Sequence, residues 1–168
     1  MTDTDGADGD GTAIGPSNGA DGPFLVDAMC GTLATYLRFC GYDAAYALDR
    51  GVEADDELLA LAAAEDRSLL TRDAALAERA DCGLLLTSRD VADQLTELAD
   101  AGVGLSIADP PTRCGDCNGP LEPVPADAST PAYAPDPETT PQWRCRRCGR
   151  YFWKGSHYER VEETLSDR

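Results

Sequence analysis

The sequence predicts an α/β protein: a mostly parallel sheet with helices on both faces, followed by a small ribbon held by cysteines. Three observations predict it. From 23 to 109, short apolar runs alternate with segments whose apolar residues recur at helical spacing, the pattern of strands joined through helices. Aspartates stand just after two of those runs. Beyond Pro110-Pro111, four cysteines fall into two CxxC pairs, the spacing of a zinc ribbon.

Taken in order, residues 1–22 are mostly Asp, Gly, Thr and Ala, with no basic residue and almost nothing apolar. Such a stretch buries too little surface to offset its chain entropy, and an acidic disordered tail is expected. Phe24-Leu25-Val26 reads as a buried strand with Asp27 directly after it. Leu33, Leu37 and Cys40 then share one helical face, and Gly41 stands where a helix C-terminal glycine belongs. Tyr42 to Leu48 reads as a weak strand. Asp55 to Asp66 reads as a helix with acids in its first turn and Leu58, Leu59, Leu61 and Ala62 as its apolar side. Ser68 to Thr71 is a short buried strand, followed by Arg72-Asp73 and a short helix through Ala80. Leu84 to Thr87 is a further strand. Asp90 to Ala101 is a helix with Val91, Leu95 and Leu98 aligned, and Val103 to Ile107 is a last strand. The α/β domain therefore spans 23–109. The cysteine unit spans 110–160 and contains a polar loop, Pro123 to Pro141. Residues 161–168 are expected as a short polar helix or a frayed tail.

The chain has 168 residues, with Asp plus Glu at 31 against 14 basic residues and a net charge of −17. Lys154 is its single lysine. A surface so acidic and lysine-poor fits a halophilic, salt-rich cytoplasm, where screening weakens self-repulsion. Overall charge then says little about partners, and local reversals of sign say more. No apolar run is long enough for a membrane span, and the N-terminus lacks the basic and apolar regions of a signal peptide. A cytoplasmic protein with no membrane partner is expected. Seven cysteines in that compartment point to metal or packing before disulfides. Cys30, Cys40 and Cys82 lie outside the CxxC pairs and read as small core residues.

Three constellations carry chemistry. Asp27 and Asp73 follow strands, and Asp55 and Asp56 open a helix. In a parallel sheet those positions lie at one edge, where open α/β sheets place their ligands. Converging carboxylates repel unless a cation neutralises them, and oxygen ligands suit Mg²⁺ or Mn²⁺. An aspartate at a helix start also serves simply as an N-cap, and for Asp55 or Asp56 alone that is the plainer role. Cys114-Gly-Asp-Cys117 and Cys145-Arg-Arg-Cys148 form two knuckles, each with a glycine close behind (Gly119, Gly149). Four thiolates suit a structural, tetrahedral Zn²⁺; a redox dithiol is the rival. Around the second knuckle, Arg144, Arg146, Arg147, Arg150, Lys154 and Arg160 are interleaved with Trp143, Tyr151, Phe152, Trp153 and Tyr158. Arginines take phosphates and aromatics stack on bases, so this reads as a nucleic-acid surface. Alternatively, the arginines balance the thiolates and the rings form the ribbon's core. His157, the one histidine, either touches substrate or packs structurally.

The stretches FLVDAMCGTLATYLRFCGYD, DDELLALA, LLTRD, Asp93-Gln94-Leu95, RCGDCNGPL and CRRCGRYFWKGSHY resemble the Mut7-C RNase family, a PIN-like nuclease fold followed by a zinc ribbon. The resemblance covers Phe24 to about Tyr158. It implies a PIN-like three-layer α/β/α domain and a metal-dependent ribonuclease whose partner is RNA. Its acidic residues, carried over by position, are Asp27, Asp55 and Asp73, with Asp56 as the fallback for Asp55. They would hold a catalytic Mg²⁺ or Mn²⁺. Arg38 and Arg72 lie in matching motifs, where they would contact phosphate or brace the acids. Arg146, Arg147, Arg150, Lys154 and His157 would face RNA on the ribbon. Thr32 and Thr35 stand where the family usually carries basic residues, and Asp90 is the nearest candidate for a further acid. The alternatives are a non-catalytic RNA- or ribosome-binding zinc-ribbon module and a phosphoryl-accepting regulatory domain. The second of these would want a lysine at the sheet edge, and the chain has none there.

Overall fold

Phe24, Leu25 and Val26 are apolar at every position, and a strand buried on both faces needs that. In the computed structural model, which describes residues 20–167, they form β1 (Phe24–Val26), with all three side chains buried. It is flanked in parallel by β2 (Ala44–Tyr46) and β3 (Ser68–Thr71), and β3 pairs in parallel with β4 (Gly83–Leu85). The order is β2-β1-β3-β4. The chain steps from β1 to one side and then crosses to the other, so the topological switch falls between β1 and β3.

Helices α1 (Gly31–Phe39), α2 (Asp55–Ala64), α3 (Ala74–Arg79) and α4 (Val91–Asp100) cover the sheet. Side chains alternate across a strand, and the core divides accordingly. Phe24, Val26 and Leu70 pack with Leu33 and Leu37 of α1 and with Leu95 and Leu98 of α4. Leu25 and Leu69 point the other way, onto Leu58 and Ala62 of α2 and Leu76 of α3. The result is three layers, as the alternation of elements predicts. Gly41 ends the first crossover in the left-handed region, at φ 88°, where only glycine is unstrained.

The expected last strand, Val103 to Ile107, is not a strand. Val103 and Leu105 are buried, as their alternation predicts. The backbone, however, continues the close of α4, with Val103 N–H donating to Leu98 O at 3.0 Å, and the Tyr42 hydroxyl takes the Gly104 carbonyl at 2.8 Å. Apolar alternation reports burial, whereas a strand also needs a ladder, and this segment lies outside both sheets.

The cysteine unit is an antiparallel sheet of β5 (Leu121–Pro123), β6 (Gln142–Cys145) and β7 (Tyr151–Trp153). The polar loop between β5 and β6 folds back on it. The Tyr133 hydroxyl accepts from Tyr151 N–H at 3.3 Å, and the Gln142 amide donates to Pro135 O. The chain then enters α5 (Ser156–Ser166). Most of the stretch 161–168, expected as a short polar helix or a frayed tail, lies in this helix. Tyr158, Val161 and Leu165 are buried at helical spacing, the last two within the core of α1 and α4. The expected N-terminal tail of 1–22 lies almost wholly outside the described residues; Ala20 is already buried against that same core.

A charged brace ties the first crossover to the sheet. Arg67 donates to Glu65 at 2.6 Å, to Asp43 at 2.8 Å and to Phe24 O at 3.1 Å, and Arg50 also pairs with Glu65. Hydrogen bonds from Arg50 and Arg67 hold the Glu65 carboxyl down at about 2, against an ordinary value of 4.5. Burial works against Asp43, but bonds from Arg67 and Asn118 still hold it low. A carboxyl lowered by folding stabilises above its unfolded pKa and loses that contribution as the pH falls through its folded pKa. Glu65→Gln should therefore cost about 0.5–1 kcal/mol at neutral pH, the range for a partly exposed pair, and progressively less from pH 4.5 down to about 2. Denaturant unfolding across that window checks it; a deficit independent of pH would refute the brace.

Candidate functional site

The β1–β3 register pairs Val26 with Leu70, which sets Asp27 beside Thr71 at the carboxyl end of the sheet. Asp27 N–H donates to Leu70 O at 3.0 Å, continuing the ladder by one bond. Thr71 is fully buried. Its hydroxyl donates to Asp27 Oδ2 at 2.7 Å and accepts from Asp73 N–H at 3.0 Å. One side chain thus holds the carboxylate of Asp27 and the backbone of Asp73 at the switch point, where open α/β sheets bind ligands. Each acid also caps a local turn: Asp27 Oδ1 accepts from Ala28 N–H at 2.7 Å, and Asp73 Oδ1 accepts from Leu76 N–H at 3.1 Å. Capping and a place at the rim are therefore compatible. Sequence reading passed over Thr71; its signal is a threonine closing an apolar strand, two residues before Asp73.

Asp55 opens α2 and is exposed, and its carboxylate makes no hydrogen bond or ion pair among the described residues. Asp56 instead pairs with Arg79 at 2.6 Å, which draws it toward α3. Asp27, Asp55 and Asp73 are not gathered as closely as the cysteines. Among the described residues, the four thiols are the one group of three or more potential metal ligands that is drawn together tightly enough to hold an ion. Mg²⁺, however, is commonly held by one or two carboxylates with water filling the other positions, and the Asp27–Asp73 pair fits that donor set. Arg72 lies between Thr71 and Asp73 with its Nε buried and without a hydrogen-bond partner. The nearby Cys30 thiol is raised to about 11 by burial and then by Asp27, with Arg72 pulling the other way. Both charged groups therefore lie around one buried sulfur.

Two other acids at this end make local hydrogen bonds. Asp90 caps α4, accepting from Ala92 N–H at 2.9 Å. Glu97 accepts from the backbone and hydroxyl of both Thr87 and Ser88, at 2.6–3.0 Å. Burial would raise the Glu97 pKa, but these four bonds hold it low. The clamp fixes the segment leaving β4.

At the other constellation, the sulfurs of Cys114, Cys117, Cys145 and Cys148 all lie within 4.8 Å of one another, and none is in a disulfide. Cys114–Cys148 is 3.8 Å and Cys117–Cys145 is 3.5 Å. A tetrahedron with Zn–S bonds of about 2.3 Å has edges of about 3.8 Å. The backbone N–H groups of Arg147 and Cys148 point at Cys145 Sγ, at 3.3 and 3.4 Å. Burial opposes ionisation of Cys145, yet these N–H groups and the neighbouring thiols lower it to about 7. Burial raises Cys114 and Cys117, and a cation among the four would reverse that. The cluster could therefore hold structural zinc. A Cβ at Gly119 would stand 2.8 Å from Cys145 Sγ, so the glycine behind the first knuckle leaves room for the sulfurs.

The predicted RNA-facing cations are differently placed. Arg38 is 4% exposed and donates to Ala44 O at 2.9 Å and to Gly115 O at 3.0 Å, with Asp49 at 3.7 Å. It joins the first knuckle to the sheet edge. Asn118 completes this joint, accepting from Ala44 N–H at 3.0 Å and donating to Asp43 at 2.7 Å. On the ribbon, Arg146 pairs with Glu122 at 3.4 Å, Lys154 with Asp109 at 2.7 Å, and Arg150 with Asp116. Arg147 bonds Cys117 O at 2.9 Å. His157 is exposed and meets the edge of Phe39, at 5.5 Å between ring centroids. No described helix is long and apolar enough to cross a membrane.

A family model described as Mut7-C RNAse domain matches residues 23–165, most of the chain. No curated protein and no solved structure matches.

Since Asn118 and Gly115 belong to the first knuckle yet bond the sheet edge, loss of metal should be felt there. With the full chain, chelation is expected to release about one zinc ion and to speed hydrogen exchange at the Ala44 amide as well as within the ribbon. Ribbon amides opening while Ala44 stays protected would show that the joint does not depend on the metal.

Proposed function

The chain belongs to the Mut7-C RNase family, and on that premise we propose that it is a metal-dependent ribonuclease, hydrolysing RNA phosphodiester bonds at the carboxyl rim of its parallel sheet. The observation that carries this reading is the Thr71 bridge, which ties Asp27 and Asp73 together at the switch point. Asp27 and Asp73 are the residues that would hold Mg²⁺ or Mn²⁺. Such an ion, when bound, polarises the phosphodiester and lowers the pKa of an attacking water.

Thr71 keeps one oxygen of Asp27 oriented, leaving the carboxylate's other lone pairs for a ligand. Asp55, unpaired at the start of α2, is the third acid, to be drawn in when substrate and metal arrive. Arg72 is suited to the phosphate: its buried Nε has no protein partner, and a guanidinium binds phosphate oxygens in a fixed fork. The zinc of the ribbon is structural, since all four ligands are thiolates, and the ribbon helps hold RNA. Reduced thiols accord with a cytoplasmic setting. A non-catalytic RNA-binding module is favoured by one observation, that the three acids are not gathered as closely as the cysteines.

One experiment separates the two readings. With Mn²⁺ and labelled single-stranded RNA, the wild type should cleave and Asp27→Asn should not. Thr71→Val keeps the shape but removes the bridge; it should lower activity about 10- to 100-fold, the range for losing a group that orients a metal ligand, with partial recovery at higher Mn²⁺. Binding without cleavage in the wild type, or cleavage that survives Asp27→Asn, would overturn the hydrolytic reading.

A further inference from the structure

Where the ribbon meets α1 and α5, the molecule encloses a cleft of about 550 Å³. This is within the size range of small-ligand sites. Two groups of rings line it. Tyr133 and Trp153 come from the polar loop and β7, with centroids 6.4 Å apart and planes tilted by 31°. Phe39 and His157 come from the ends of α1 and α5. Tyr133 is 58% exposed, unusual for an aromatic ring whose hydroxyl is already engaged.

Arg113 and Arg150 also line the cleft. Arg113 donates to Asn118 O at 3.1 Å and forms no ion pair among the described residues. Arg150 is tied to Asp116, but both are about half exposed, and an exposed pair is worth at most about 1 kcal/mol. Exchanging that carboxylate for a phosphate is therefore inexpensive. Seven basic residues face six acidic ones between 110 and 160. Over the rest of the chain, 25 acidic residues face seven basic ones.

We propose that this cleft binds an unpaired nucleotide of single-stranded RNA, the base on the rings of Tyr133, Trp153 or His157 and the phosphate on Arg113 and Arg150. It rests on the ribonuclease reading and extends it, because the cleft is remote from the acids. Asp27 lies just before the amino end of α1 and Phe39 at its carboxyl end, about 12 Å along a helix of this length. A strand gripped in the cleft and cut at the rim must span at least about four stacked nucleotides, at ~3.4 Å each. Substrate length is then a specificity determinant: dinucleotides reach one site and longer strands reach both.

The test uses the full zinc-loaded chain. Single-stranded RNA carrying 4-thiouridine is crosslinked to Asp27→Asn protein, and the modified residues are mapped. Crosslinks on Tyr133, Trp153 or His157 are expected. Tyr133→Ala, on an exposed loop, should weaken binding of long RNA about 5- to 100-fold, the range for one lost stacking partner. It should raise KM for long RNA while leaving kcat, and dinucleotide cleavage, unchanged; Tyr133→Phe should restore binding. Crosslinks confined to the acidic rim, with Tyr133→Ala binding normally, would overturn the cleft and leave the ribonuclease reading standing. A cleft that takes AMP but not RNA would also overturn it. If the wild type neither binds nor cuts RNA, both readings fall.

Discussion

Val26 pairs with Leu70 in parallel, so the next residues of the two strands, Asp27 and Thr71, are forced side by side. A buried hydroxyl beside a nearly buried carboxylate must find a partner, because leaving either unsatisfied costs about 1–3 kcal/mol. The bond between them meets both needs, and the same hydroxyl then accepts the Asp73 amide. The position of the two acids follows from strand register and hydrogen-bond satisfaction. The register in turn rests on alternation: a one-residue slip would send Phe24 and Val26 to the side of α2 and Leu25 to the side of α1.

The ribbon's attachment to the α/β unit has a comparable logic. An edge strand exposes unpaired backbone groups, and β2 is such an edge. The first knuckle supplies the missing partners at the strand's beginning: Asn118 takes the Ala44 amide, and Arg38 spans from the Ala44 carbonyl to that of Gly115. Burial tends to lower the pKa of Arg38, while Asp49 and the thiols of Cys114 and Cys117 favour its charge. The C-terminal helix closes the joint from the other side through Val161 and Leu165. The cysteine unit is thus built into the domain along two seams.

Charge is distributed to match. Acidic residues dominate the α/β unit, whereas the ribbon's cations meet nearby acids in exposed pairs that hold little energy. A polyanion approaching this protein meets repulsion over most of its surface and exchangeable partners at the ribbon. On the proposed reading, the ribbon is the place of first contact and the sheet rim is reached by a strand already held.

The linear order of residues was enough to determine the alternation of strands and helices, the placing of Asp27 and Asp73 after their strands, and the pairing of cysteines into two knuckles. Each is a local matter of apolar period, turn residue or short spacing. Only the tertiary structure decided what lies far apart along the chain. Val103 to Ile107 carries the alternation of a strand but finds no ladder. Residues 161–168 read as polar, yet Val161 and Leu165 are the two side chains that seal the core. Arg38 reads as a residue that contacts phosphate or braces the acids, whereas folding gives its guanidinium to the carbonyl of Gly115, 77 residues away. Thr71 reads as the end of a strand until Asp27, 44 residues away, accepts a hydrogen bond from its hydroxyl. A residue's chemistry is written in its type, but its role is set by the partner that folding brings within 3 Å, and that partner leaves no trace in the neighbouring sequence.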